Sequence, residues 1–167
     1  ITEAGTYTLN PVTSSTNNCY KIPSPNSTNE YFVVEYRRKT GRFENSLPGT
    51  GLLIYRINPS YNGNANGPPD EVYMYRPNGT TTQNGQPNNA NYSQQTGRIA
   101  INNGTNPKAF LTNGSDGDLN IDQISSAGET ISFRVNFEIG GRPQLSTPPT
   151  GSLEVSLAPT FTWQPYS

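Results

Sequence analysis

Histidine is absent from the 167 residues, cysteine, methionine and tryptophan occur once each, and only 14% of positions are charged. Without imidazole the chain has neither the usual proton shuttle near neutral pH nor the commonest zinc ligand. Ser-His-Asp, Cys-His and His-zinc centres are therefore excluded within these residues. A carboxylate pair is the one acid–base device left on paper, yet none of the 12 acidic residues sits beside another in an obvious catalytic context. Cys19 cannot close an internal disulfide and reads as a small half-buried strand residue rather than a reactive thiol.

Charge of one sign is missing too: 11 basic and 12 acidic side chains leave a net charge of −1. No overall field recruits nucleic acid or an anionic membrane, so neither is expected as a partner. No run approaches the roughly 18 apolar residues of a membrane span, and no basic, apolar, small-residue succession marks a signal peptide at Ile1. Membrane insertion is not expected, and the chain reads as an excised piece of a longer polypeptide.

What is present is turn chemistry. Asn, Thr, Gly, Pro and Ser make up about half the chain, and only 31% of residues are hydrophobic. Gly and Pro break helices, while Ser, Thr and Asn compete with the helix backbone for hydrogen bonds, so short strands joined by turns are expected. A chain of this length buries roughly 70% of its unfolded surface, enough for one ordinary core.

Strands are expected over 6–9, 19–22, 30–39, 52–57, 71–76, 98–101, 110–111, 119–124 and 130–137. The segment 30–39 (EYFVVEYRRK) is apolar on both faces in its first half, as is 52–57 (LLIYRI), which predicts two central strands with Val33, Val34, Leu53 and Ile54 buried. Residues 77–96 hold almost no aliphatic side chain and read as a long surface excursion. Composition breaks at Gly140-Gly141. The expected organisation is a β-sandwich over 1–140, a Pro/Gly-rich linker over 141–152, and the opening strands of a second sandwich over 153–167.

The run EYFVVEYRRKTGRFENSLPGTGLLIYRIN, preceded by AGTYTLNP and followed by DEVYMYRPNGT and DGDLNIDQISSAGETISFRV, resembles the region after the zinc site in immune-inhibitor-A-like secreted metallopeptidases. The likeness spans about 1–137 and is most specific where a Y-F-x-x-E-x-R strand precedes L-P-G-x-G-L-L-I. It implies a secreted bacterial zinc endopeptidase as the parent, with a β-rich region following its catalytic domain. The family's H-E-x-x-H helix is missing here, so no catalytic or zinc residue carries over. Glu35 and Arg37 match the family's acid and base on the first central strand, and Gly49, Gly51, Leu52, Leu53 and Ile54 match its turn and second strand. Where relatives often show an aromatic, His, an aliphatic and Asp, this chain has Tyr55, Arg56, Ile57 and Asn58. Residues 143–163 are similar to the first strands of fibronectin-type-III-like sandwiches.

Several clusters could carry chemistry. Glu35 and Arg37 share one strand face and read as a structural ion pair with a cross-strand partner such as Arg56. Arg37, Arg38, Lys39 and Arg42 read as a solvated strand end. Asp116, Asp118, Asn120 and Asp122 alternate as D-x-D-x-N-x-D, a spacing that suits the oxygen ligands of calcium but also an amphipathic strand. Tyr55, Tyr61, Tyr73 and Tyr75 could form a sugar-stacking platform.

The expected fold is an all-β antiparallel β-sandwich. Its expected role is non-catalytic: an accessory domain docking or supporting an upstream protease domain of the same polypeptide, secreted or at the cell surface. A glycan- or protein-binding module and a structural spacer are the alternatives. No cofactor is expected within the chain apart from calcium at the Asp116–Asp122 alternation.

Overall fold

A computed structural model describes residues 1–65, 67–137, 145–147 and 162–163. The chain divides into two compact units, Ile1–Asn136 and Phe137–Ser167.

The first unit is an all-β sandwich of two antiparallel sheets. One sheet runs in the order β2 (Cys19–Pro23), β3 (Tyr31–Arg37), β4 (Gly51–Ile57) and β5 (Val72–Met74); the other has β7 (Ile131–Asn136) between β1 (Gly5–Leu9) and β6 (Asn120–Asp122). A one-turn helix, α1 (Gly41–Glu44), lies in the connection from β3 to β4. These strands form where β-branched and aromatic residues alternate with polar ones, because the pleat sends successive side chains to opposite faces. In β7 the alternation is complete: Ile131, Phe133 and Val135 are buried and Ser132, Arg134 and Asn136 are not.

β3 and β4 obey the same rule, which corrects the expectation of strands buried on both faces. Phe32, Val34, Tyr36, Leu52 and Ile54 are fully buried, whereas Val33 and Leu53 are only half-buried. The other sheet covers one face; the opposite face has only its own side chains for cover. Between the sheets, the Tyr20 ring of β2 meets Tyr7 of β1 and Phe133 of β7 at centroid distances of 5.6 and 6.3 Å. The Tyr36 hydroxyl donates to the Gly128 carbonyl at 2.7 Å. Gly117 lies under this core, and a Cβ there would come within 2.6 Å of the Phe32 ring and 2.7 Å of the Ala109 carbonyl.

Residues 77–96 are not a surface excursion throughout. Ala90, Asn91, Tyr92 and Ser93 are buried, and Tyr92 exchanges both backbone hydrogen bonds with Leu52 at 2.9 Å. The bridge continues the edge of β4 past the point where β5 ends, so the backbone groups of Leu52 are paired rather than left open. Gly51 permits the approach: its φ is +152°, and a Cβ there would lie 2.5 Å from the Tyr92 carbonyl oxygen. Two expected strands are reduced to single bridges, Ile101 with Ile121 and Phe110 with Asp116. Cys19, expected half-buried, is exposed at the sheet's outer edge.

In the second unit, β8 (Leu145–Thr147) pairs antiparallel with β9 (Thr162–Trp163). The rest of the expected linker and the expected strand over 153–157 lie outside the described residues.

One-sided burial has a measurable consequence. Ile54→Ala should lower unfolding stability by about 2–5 kcal/mol, as for a fully enclosed aliphatic side chain. Leu53→Ala, on the half-covered face, should cost clearly less in the same denaturant titration; equal losses would mean that both faces are enclosed.

Candidate functional site

The alternation that builds β3 and β4 sorts the predicted site residues into two places. On the outer face, Glu35 Oε1 accepts from Arg37 Nε and from the Tyr55 hydroxyl, both at 2.7 Å, and Arg37 Nη1 donates to Glu44 Oε1 at 2.9 Å. Burial disfavours the Arg37 charge, but the hydrogen bond and charge of Glu35 and the charge of Glu44 outweigh it and hold its pKa above the ordinary value. The Tyr55 phenol is pushed up first by burial and then by the Glu35 charge. This cluster ties the helical turn to the hairpin. Glu44 and Tyr55 were not assigned to it from sequence, since the helical turn that brings Glu44 back to β3 has no marker in the sequence.

Arg56 does not join that pair. It shares parity with Leu52 and Ile54, so the pleat turns it to the inner face, where it is 2% exposed. Its partner is Glu30, with Nε 3.4 Å from Oε2. The basic cluster also separates: Arg38 is held by Glu129 through two bonds of 2.9 and 2.6 Å, and the Arg42 guanidinium lies 5.8 Å from the Phe43 ring centroid.

The acidic alternation is divided in the same way. Asp122 stands opposite Arg134 and accepts from it twice, at 2.8 and 2.7 Å, bonds that lower its pKa below the ordinary carboxylate value. Asp116 Oδ1 accepts from the Asp118 backbone N–H at 2.8 Å, and Asn120 stands opposite Asn136 in the ladder. Among the described residues no group of three or more His, Cys, Asp or Glu side chains is gathered to hold a metal ion.

The four tyrosines do not form one platform. Tyr73 and Tyr75 are buried, Tyr55 is bonded to Glu35, and Tyr61 alone is exposed, at 38%. Tyr73 and Tyr75 instead pack with Phe110 at centroid distances of 5.0 to 5.5 Å. Beside that cluster opens a recess of about 480 Å³ whose lining includes Arg56, Tyr73, Glu30, Asp70, Thr112 and Tyr61.

The recess is polar and organised. The Arg56 guanidinium lies 5.2 Å from the Tyr73 ring centroid and 6.0 Å from that of Phe110, within cation–π range, and its Nη2 donates to the Asp70 carbonyl at 3.3 Å. Glu30 Oε2 accepts from the Thr112 backbone N–H at 2.9 Å and from its hydroxyl at 2.7 Å. Asn58 donates to the same Thr112 hydroxyl oxygen at 2.9 Å. Sequence reasoning named Arg56 only as a possible ion-pair partner and missed Glu30, Asp70 and Thr112. The available signal was a cation at the buried parity of a strand.

A second arginine sits on an aromatic face. Arg98 lies 3.7 Å from the Tyr92 ring centroid and donates to the Asn89 carbonyl at 2.6 Å; burial lowers its pKa. Burial also pushes the Tyr92 phenol up to about 12 and raises Tyr73 and Tyr75.

These phenols titrate near 10 in the unfolded chain, so the fold favours their neutral form. Stability should be complete below pH about 10 and fall as pH rises from there towards 12. Tyr92→Phe removes a hydroxyl that has no partner and should flatten that decline in denaturant melts taken at pH 9 to 11. An unchanged slope would remove Tyr92 as its source.

No family model, curated protein or solved structure matches the chain, which leaves the residues quoted above as the carriers of any family likeness.

Proposed function

We propose that this chain is the non-catalytic accessory β region of a secreted zinc metallopeptidase, following its catalytic domain and docking against it. The observation that carries the reading is the hairpin from Tyr31 to Ile57. The residues resembling the immune-inhibitor-A-like region form one antiparallel pair in register from Tyr31 opposite Ile57 to Arg37 opposite Gly51. Within that hairpin Glu35 and Arg37 bind each other, and Gly51 admits the Tyr92 backbone, so the matched residues are the ones that hold the pair together.

A chain without histidine leaves zinc chemistry to another part of the polypeptide. Support for docking comes from Phe43, 85% exposed in the turn between the two motif strands, and from the half-covered outer face bearing Val33 and Leu53. An apolar ring held in water on a polar chain is suited to an interdomain contact.

The test joins the chain with the polypeptide encoded upstream of Ile1, expressed separately. An H-E-x-x-H segment is expected there, the two pieces should bind in calorimetry, and Phe43→Asp should weaken that binding at least tenfold. The chain alone should leave casein intact with zinc added. Zinc-dependent cleavage by the chain alone, or an upstream region without a zinc motif, would sink the reading.

A further inference from the structure

The recess beside β4 and β5 has a chemistry that docking leaves unused. Arg56 and Tyr73, directly opposite each other in the ladder, are 2% and 4% exposed. Each has a buried polar atom without a hydrogen-bond partner: Arg56 Nε, whose contact with Glu30 at 3.4 Å is ionic, and the Tyr73 hydroxyl. Buried polar groups in native proteins are nearly always bonded, so two orphans side by side in a recess mark a place where something else supplies the partners. The volume, about 480 Å³, lies within the range of small-molecule sites.

The remaining lining narrows the class of ligand. Glu30 and Asp70 outnumber Arg56 by one charge, so phosphate, sulfate or a uronate would meet net repulsion. Thr81, Thr82 and Thr112 add hydroxyls, and Asn113 adds an amide, each able to donate and to accept. An apolar ligand would leave all of them unpaired. At the rim, Tyr61 offers a ring 38% exposed. A ligand with hydroxyls on several sides and a C–H face for that ring meets every requirement.

We propose that this recess binds a neutral pyranose sugar, its hydroxyls bonded to Arg56 and Tyr73 and its C–H face against Tyr61. The site is independent of the docking role, which rests on other residues. A free monosaccharide and a residue of a polysaccharide offer the same chemistry, so the experiment carries both.

The full chain, labelled with ¹⁵N, is titrated with methyl glucoside, methyl galactoside, methyl mannoside and N-acetylglucosamine, then with the tetrasaccharides of each. At least one neutral probe should shift the amides of Thr82, Thr112 and Asn113 saturably. Monosaccharide binding identifies a free-sugar site, and binding of tetrasaccharides alone identifies a polysaccharide site. Tyr61→Ala should weaken the interaction at least fivefold with little change in Tm, because that ring is exposed. Tyr73→Phe removes a hydroxyl with no protein partner, so it should keep the fold and also weaken binding. No saturable shift with any neutral probe, shifts only with glucuronate, glucose phosphate or trilysine, or affinity unmoved by both variants would overturn the proposal.

Discussion

The register between β3 and β4 is the constraint on which the first unit depends. Seven consecutive pairs place Phe32, Val34 and Tyr36 opposite Arg56, Ile54 and Leu52 on the inner face. Side chains alternate with a period of two, so slipping one strand by a single residue would turn its whole buried set to the other face. Glu35 and Arg37 would then enter the core in place of Val34 and Tyr36. The same pairing fixes Gly51 at the point where the Tyr92 backbone must pass, and so ties the irregular residues around Tyr92 to the sheet.

That register also puts a cation where hydrophobic packing would be simplest. Desolvating an arginine is expensive, and a buried pair commonly does no better for stability than apolar residues of similar size. Arg56 is accommodated by Glu30 and by the rings of Tyr73 and Phe110, while Thr112 and Asn58 hold Glu30 in place. So much arrangement around a charge that adds little stability is what a binding site needs. Arg98 on Tyr92 repeats the solution of setting a partly desolvated guanidinium against an aromatic face, in a protein that has ten tyrosines and little aliphatic bulk.

The two proposals use different parts of one scaffold. Docking draws on the turn and outer face of the hairpin, where Phe43 is exposed and the Glu35–Arg37–Glu44 cluster stiffens the connection. Sugar binding draws on the inner face near the end of β4, where the loops bearing Asp70, Thr82 and Thr112 close around Arg56. A region with both would hold a protease domain near a glycan-bearing surface. The chemistry of cleavage would remain in the histidine-bearing part.

Composition and period-two patterning by themselves determined the all-β class, the approximate places of β1 to β7, the inner residues of β7 and the pairing of Glu35 with Arg37. Each of these is local: a strand's faces follow from its own alternation, and two residues two apart on one strand share a face whatever lies around them. The tertiary structure decided the rest. Whether a strand is covered on one face or both depends on what packs over it, which is why Val33 and Leu53 are only half-buried. Tyr73 and Tyr75 became core rather than platform because Phe110, 35 residues beyond Tyr75, packs onto them. The Arg56 recess depends on Thr112, 82 residues from the Glu30 that it binds. Such contacts arise only when distant loops converge on one sheet, and no spacing within a segment encodes that convergence.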